Sequence, residues 1–519
     1  MGTFNAAEWL VDRHLSGGQG GNVAFVCEDR RLDYDGLQAS VWAAANGLAA
    51  IGVNPGDRVL MVVNDEEAFP AAFLGGLLIG AVPIPVSTML RASDVAVLAA
   101  DSECRAAVLS ARYAGYLPEM AAAADGLRAA VVVGDGGASG GGAGGVVVHS
   151  WSDLDDKSEV VPAATSPESP GFWLYTSGTT GKPKGAIHRH GDIKVVCDTY
   201  ARTVLGITPD DLCYSVAKLF FAFGLGNALL FPLSVGASAL IDPEPPTPAR
   251  VAELAARHRP TLFFSSPGFC SALVDSGAPG ESLASARFTV TAGEALPAEV
   301  IRRFTARFGT EMLDGIGSTE ALHIFCSNHP GDVRPGTSGR PVEGYSLKLV
   351  GDDGSELTEP ETPGYLWVKG ESVAAGYWRR PEVTAETFVD GWLRTGDVYT
   401  CSEDGYYRFY GRNSDMIKPG GIWVSPAEVE SALLEHDDVL EAAVVGGHDP
   451  EGLEVSIAFV VARQGHTIDV EALQAHCRSR MAAFKRPRQV HVVSELPKTA
   501  TGKIRRFELR DQLAAGQPV

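Results

Sequence analysis

Cysteine is scarce in this chain, and the pattern of that scarcity is informative. The eight cysteines, Cys27, Cys104, Cys197, Cys213, Cys270, Cys326, Cys401 and Cys477, are scattered, with no C-x-x-C pair and no histidines clustered at zinc spacing. That excludes a disulfide scaffold or a zinc module and points to a reducing compartment. Positive charge is also short: 43 Lys and Arg against 64 Asp and Glu leave a net charge of −21. Nucleic acid and anionic membrane both reward a basic face, so neither is the expected partner. Met1–Leu15 carries Glu8 and Asp12 rather than a basic region before an apolar core, so no secretory signal is visible and a cytoplasmic location is expected. Nor is there an unbroken hydrophobic run. Ala68–Val86 is almost uncharged, but Pro70, Pro83 and Pro85 interrupt it, and Gly75, Gly76 and Gly80 suit close helix packing. It reads as a buried helix running into a strand rather than a membrane span.

What is present is a large apolar content, 45% over 519 residues, enough for several cores and at least two domains. The chain opens with an expected helix over Ala6–Leu15, two short strands around Glu28-Asp29-Arg30, and a helix over Tyr34–Ile51 that Gly52 ends. Strands over Val59–Val63 and Ala106–Leu109 alternate with helical stretches, which argues for α/β layers with largely parallel sheets. Residues 134–145, GDGGASGGGAGG, read as a flexible surface loop without chemistry. Beyond Arg412 the pattern becomes compact: helix Pro426–His436, strands Glu441–Gly446 and Glu454–Val461, and helix Val470–Met481 suit a small separate domain.

The densest chemistry is Tyr175–Gly185, YTSGTTGKPKG, just after the apolar run Gly171-Phe172-Trp173-Leu174. Three glycines let backbone N–H groups approach an anion while hydroxyls and two ammonium groups bind it, the composition of a phosphate cradle. It is not a Walker A loop, which needs a Ser or Thr after its lysine to hold magnesium; here Pro183 follows Lys182. Such a cluster alone reads more often as a solvated loop. Two later motifs turn the balance, Thr291-Ala292-Gly293-Glu294-Ala295-Leu296-Pro297 and Asp314-Gly315-Ile316-Gly317-Ser318-Thr319-Glu320. They are joined by Leu393-Arg394-Thr395-Gly396-Asp397, by Tyr406-Tyr407-Arg408-Phe409-Tyr410-Gly411-Arg412, and by Pro497-Lys498-Thr499-Ala500-Thr501-Gly502-Lys503-Ile504.

In this order the motifs resemble those of the adenylate-forming acyl-CoA synthetase superfamily, and the continuation Ala186-Ile187-His188-Arg189-His190 looks like its benzoate-CoA ligase branch. The likeness runs from roughly residue 20 to 512. It implies a large N-terminal domain (1–412) of layered, mostly parallel sheets with helices plus a β-barrel-like subdomain, and a small mobile α+β domain (413–519) carrying a catalytic lysine. It implies that Thr176, Ser177, Gly178, Thr179, Thr180 and Lys184 grip the ATP phosphates. Gly293, Glu294, Ala295, Asp314, Gly315 and Ile316 would surround the adenine. Thr319 would meet the α-phosphate, and Glu320 would hold Mg²⁺, to which a hard carboxylate oxygen is suited. Asp397 would accept the ribose hydroxyls, and Arg412 would reach the ribose or phosphate side. The aromatic stretch Lys218–Asn227 would lie against the ring of an aryl acid, with Ala222, Phe223, Gly224, Gly317, His323 and Ile324 lining that pocket. Relatives that activate amino acids or dihydroxybenzoate place a polar residue where this chain has Ala222. An unsubstituted or lightly substituted ring is therefore expected, since an unpartnered buried polar group costs about 1–3 kcal/mol.

The expected reaction is ATP-dependent formation of an aryl-adenylate and pyrophosphate, then displacement of AMP by the thiol of coenzyme A. No protein nucleophile is required; positioning and charge neutralisation would supply the catalysis. Lys503 would bridge carboxylate and α-phosphate. Rotation about residues 412–415 would then withdraw it and bring Gly420-Gly421 to a pantetheine channel. Ser414 stands where many relatives carry an aspartate or lysine hinge. Three other readings stay open: a ligase loading the phosphopantetheine of an acyl carrier protein, an oxidase of the luciferase type, and a non-catalytic nucleotide-binding module. Either a monomer or a homodimer fits.

Overall fold

A computed structural model describes residues 2–134, 144–177, 183–417, 424–448, 454–498 and 504–514. Near the N-terminus a five-stranded sheet runs in the order Val82–Pro85, Arg58–Val62, Ala106–Ser110, Ala129–Val133, Val147–Ser150, every pair parallel. Its strands are apolar on both faces, as parallel strands covered by helices must be. Val59 and Met61 join one core, and Leu60 and Val62 join another on the opposite face. The helix Ala68–Leu78 is buried along its whole length and leads into Val82–Pro85, as its composition predicts. An ideal Cβ on Gly75 would lie 2.9 Å from the Ala44 Cβ, so the glycine is what lets this helix pack closely on Tyr34–Ala50. No helix among the described residues is long and apolar enough to cross a membrane.

A nine-stranded sheet follows, in the order Arg340–Pro341, Ile324–Ser327, Glu311–Gly317, Phe288–Thr291, Leu262–Ser265, Leu212–Ser215, Ser238–Ile241, Val23–Cys27, Arg30–Asp33. The strands between Val23–Cys27 and Glu311–Gly317 pair in parallel, and antiparallel strands close both edges. A six-stranded antiparallel sheet occupies 346–412, with Trp392–Cys401 at its centre and Tyr407–Arg412 paired beside it.

The C-terminal residues build their own sheet of Val439–His448, Glu454–Ala462 and Gln489–Val493. Alternation sends Val444, Ala458 and Val460 to a core shared with Val429, Leu433 and Leu473 of the helices Pro426–Leu434 and Val470–Arg480. Val445, Ile457 and Phe459 face Leu509 of the third helix, Arg506–Ala514, on the other side. The first two strands and first two helices match the expected ones to within two residues, whereas strand Gln489–Val493 and helix Arg506–Ala514 are not among those expected. One expectation fails near the start: the helix over Ala6–Leu15 is two, Ala6–Leu10 and Asp12–Ser16. The backbone departs from helical torsions at Val11 (φ −117°), a β-branched residue that a helix restrains at χ1. Most of the glycine-rich stretch 134–145 lies outside the described residues.

Candidate active site

Two strands, Pro170–Ser177 and Pro183–Arg189, form an antiparallel hairpin whose register sets Thr176 opposite Lys184 and Ser177 opposite Pro183. The described ends of the motif Tyr175–Gly185 are therefore paired strands of one hairpin. Its central residues Gly178, Thr179 and Thr180 lie outside the described residues, as do Gly420, Gly421 and Lys503.

The motif Thr319–Glu320 sits in a short 3₁₀ turn beyond strand Glu311–Gly317, with the Ser318 hydroxyl accepting the Ala321 N–H at 3.1 Å. Leu322, fully buried, then turns the chain with φ +69° and ψ −44°. That conformation is strained for a residue with a side chain, and such strain gathers at functional sites. Thr319 and Glu320 are tied to the hairpin from two directions. His188, from the second strand, is 2.8 Å from the Thr319 carbonyl through Nε2 and 3.1 Å from the Asp192 carboxylate through Nδ1. The Tyr377 hydroxyl donates to Glu320 Oε1 at 2.7 Å, while Lys184 Nζ lies 4.6 Å from the centre of the Tyr377 ring. Residues distant in sequence thus place the Lys184 ammonium and the Glu320 carboxylate around one tyrosine.

The motifs expected to surround the adenine meet through adjacent parallel strands, Phe288–Thr291 and Glu311–Gly317, whose ends pair Thr291 with Asp314. The Thr291 hydroxyl donates to Asp314 Oδ1 at 3.0 Å, and burial holds the Asp314 carboxyl well above the usual carboxylate range. Gly293 takes φ +91°, a torsion that glycine alone adopts freely, and Glu294 accepts the Gly268 N–H at 3.2 Å. Ala295 follows, and Gly315 and Ile316 continue the second strand. Across the six-stranded sheet, Asp397 lies directly opposite Arg412, and their side chains form an ion pair at 2.8 Å.

The stretch Lys218–Asn227, expected to lie against an aryl ring, includes a short helix, Ala222–Leu225. Phe223 lies face to face with His323, ring centres 5.5 Å apart, and Phe231 and Tyr200 meet the same imidazole at 4.5 Å and 5.3 Å. Only 3% of His323 is exposed, and burial pushes its pKa down to about 3, so the ring is neutral. Its Nε2 is 3.2 Å from Asn227 Oδ1, whereas the buried Asn227 Nδ2 has no hydrogen-bond partner among the described residues. An ideal Cβ on Gly317 would lie 2.5 Å from the His323 carbonyl oxygen, and one on Gly224 would lie 2.1 Å from that of Lys218. Both glycines are therefore places of close backbone approach, and Ile324 is packed beside Gly315 and Gly317.

Ser414 is exposed in a turn where the N–H groups of Asp415 and Met416 both reach the Arg412 carbonyl, at 2.9 Å and 3.0 Å. Asp415 pairs with Arg510 at 2.8 Å, and Arg463 of the C-terminal unit reaches Asp275 at 3.4 Å. Tyr377, His188 and Asp192 were not singled out by the motifs. His188 lies inside a quoted stretch, but nothing in its spacing points to Thr319. Among the described residues no group of three or more His, Cys, Asp or Glu is placed to hold a metal ion.

Comparison with known proteins places this arrangement in context. Residues 13–378 match the AMP-binding enzyme family, and 428–503 match the C-terminal domain of AMP-binding enzymes. The chain is 45% identical to the benzoate–CoA ligase of Thauera aromatica over 98% of its own length and 96% of that protein's. It is 40% identical to the 4-hydroxybenzoate–CoA/benzoate–CoA ligase of Rhodopseudomonas palustris, covering 99% and 95%. Among solved structures it is similar to the anthranilate CoA ligase AuaEII in complex with anthranoyl-AMP, with a TM-score of 0.93 and 35% identity over 99% of this chain and 98% of that one. A benzoate CoA ligase from Burkholderia xenovorans gives a TM-score of 0.89 and 39% identity over 98% and 100%.

Proposed function

The chain belongs to the AMP-binding enzyme family, as an AMP-forming acid–thiol ligase of its aryl-CoA branch, and we propose that the acid it activates is benzoate or a close ring analogue. The observation that carries this choice is the neutral, buried His323 enclosed by Phe223, Phe231 and Tyr200. A pocket walled by flat rings accepts another flat ring through offset or edge contacts. None of these four ring residues offers a carboxylate to an α-amine, and a buried unpaired ammonium would be strongly disfavoured. The unpartnered amide nitrogen of Asn227 supports tolerance of one small hydrogen-bonding substituent.

The reaction proceeds in two steps. A carboxylate oxygen of the acid attacks the α-phosphorus of ATP, the bond to the β-phosphate oxygen breaks, and pyrophosphate leaves. The coenzyme A thiol, as thiolate, then attacks the acyl carbonyl and AMP departs. On this reading Thr176, Ser177, Gly178, Thr179, Thr180 and Lys184 hold the ATP phosphates, and Thr319 meets the α-phosphate. Gly293, Glu294, Ala295, Asp314, Gly315 and Ile316 receive the adenine, and Asp397 with Arg412 the ribose. Ala222, Phe223, Gly224, Gly317, His323 and Ile324 form the acid pocket. Lys503 bridges carboxylate and α-phosphate, where a fixed cation offsets charge that concentrates in the transition state.

Glu320 supplies a single hard carboxylate, which fits a magnesium ion bound mainly through phosphates and water. Such an ion, bound with the nucleotide, would offset phosphate charge during adenylate formation. The turn at 412–415 supports a division into domains 1–412 and 413–519. Rotation there would withdraw Lys503 after the first step and bring Gly421 toward the pantetheine arm. The test is a pyrophosphate-release screen over aromatic, aliphatic and amino acids, with coenzyme A or a phosphopantetheinylated carrier protein as acceptor. Benzoate or a singly substituted benzoate with coenzyme A should give the highest kcat/KM; octanoate or phenylalanine exceeding it would overturn the choice of acid.

A further inference from the structure

The segment Ser372–Trp378 threads between the phosphate hairpin and the Thr319–Glu320 turn and is bonded to both. On the hairpin side, Ala375 N–H donates to the Ile187 carbonyl at 2.9 Å and Trp378 N–H to that of Gly185 at 2.9 Å; Ile187 N–H returns a bond to Gly376 at 3.0 Å. On the turn side, Ala374 N–H donates to the Glu320 carbonyl at 2.8 Å, and the Ser372 hydroxyl to that of Ala321 at 2.7 Å. Tyr377 is the one residue of the segment whose side chain reaches both partners. Its hydroxyl bonds Glu320 Oε1, its ring lies under Lys184 Nζ, and Phe388 closes the ring's edge with centres 5.4 Å apart. Tyr377 is only 6% exposed, and its own N–H is held by the Thr384 hydroxyl at 3.0 Å. Neither its backbone nor its ring can turn away without breaking these contacts.

We propose that Tyr377 is a positioning residue for adenylate formation: its hydroxyl aims the Glu320 carboxylate, and its ring seats the Lys184 ammonium. The phenol occupies one of roughly four lone-pair directions of the carboxylate and restrains the others to face the nucleotide. A side chain that orients a metal-binding carboxylate in this way contributes about 10–100-fold to metal affinity. The ring contributes separately, since an ammonium over a phenol face is attracted to it whether or not the hydroxyl is present. This inference rests on the assignment of Glu320 to magnesium.

The test uses the full-length chain as wild type, Tyr377→Phe, Glu320→Gln and the double variant. Binding of ATP is followed by calorimetry at graded magnesium without acid, beside steady-state kinetics and thermal melts. Tyr377→Phe keeps the ring, so its melting temperature should stay within a few degrees of wild type and its benzoate KM should be unchanged. Its half-saturating magnesium concentration should rise about 10–100-fold, and adding it to Glu320→Gln should change nothing further. Tyr377→Leu removes the ring as well and should additionally weaken ATP at saturating magnesium. The inference is overturned if Glu320→Gln raises the magnesium requirement while Tyr377→Phe does not. It is equally overturned if the Tyr377→Phe effect persists in full without Glu320. If Glu320→Gln leaves the magnesium dependence untouched, the metal assignment itself falls and takes this inference with it.

Discussion

Replacing Gly226 with alanine probes the acid pocket more directly than any change to a side chain already there. The new Cβ would fall 2.4 Å from His323 Cδ2, 2.8 Å from its Nε2 and 3.2 Å from Phe231 Cζ. Real carbon atoms do not approach so closely, so the imidazole must move. Three rings oppose that movement, Phe223, Phe231 and Tyr200, and the hydrogen bond to Asn227 would be lost as well. Forcing a methyl group into such packing costs about 1–3 kcal/mol. If the ring yields toward the pocket, the cost falls on acid binding, and at 1.4 kcal/mol per decade benzoate KM rises about 5- to 150-fold. The ATP KM should remain within twofold, because Gly226 touches none of the phosphate or adenine elements described above. A smaller ring acid such as 2-furoate should lose less than benzoate. Steady-state kinetics with both acids, alongside thermal melts, separate the cases. A lowered melting temperature with unchanged benzoate KM would show that His323 is a core histidine and not the pocket wall.

Further outcomes follow from the same geometry. Enlarging the aryl segment by Ala222→Leu should reduce kcat/KM for substituted benzoates more than for benzoate, since overpacking costs about 1–3 kcal/mol where the ring already fills the space; competition kinetics over a substituent series would reveal it. Lys503→Ala should lower benzoate-dependent pyrophosphate release on the order of 10²–10³-fold yet leave thioester formation from synthetic benzoyl-AMP and coenzyme A near normal; equal losses in both assays would remove this lysine from its role. Burial raises the Asp65 carboxyl from 3.8 to about 6, against the opposing pull of Lys218. The folded state therefore holds its proton more tightly than the unfolded state, and stability from this group is present below pH 4 and lost as pH rises to 6. Asp65→Asn keeps an acceptor for the Leu219 N–H and should gain about 2–3 kcal/mol at pH 7 with no gain below pH 4, which denaturant melts at the two pH values would measure.

How far the chain could be read before its structure was known depended on how local the signal was. The buried helix Ala68–Leu78, the strands around it and the first two strands of the small C-terminal sheet announce themselves through apolar runs, whereas its third strand, Gln489–Val493, is not among those expected. The break at Val11 does not, because nothing nearby marks it as a stop. The motifs located the phosphate hairpin and the Thr319–Glu320 turn as separate stretches, but not the residues that bind them together. Tyr377 lies 57 residues from Glu320, and His188 lies 131 from Thr319. Hydrogen bonds over such spans leave no periodicity, since each needs only one suitable atom at each end. The left-handed turn at Leu322 was equally silent, because leucine is a residue that rarely adopts it.

On the proposed reaction, this chain joins an aromatic carboxylate to adenylate before the thiol arrives. The measurement that tests it most directly is the fate of oxygen-18 placed in both carboxylate positions of benzoate, with ATP and coenzyme A, followed by mass spectrometry of the products. If a carboxylate oxygen attacks the α-phosphorus, one labelled atom must appear in AMP, one must remain in benzoyl-CoA, and pyrophosphate must be unlabelled. Label in inorganic phosphate with ADP as the nucleotide product, or AMP free of label, would contradict it.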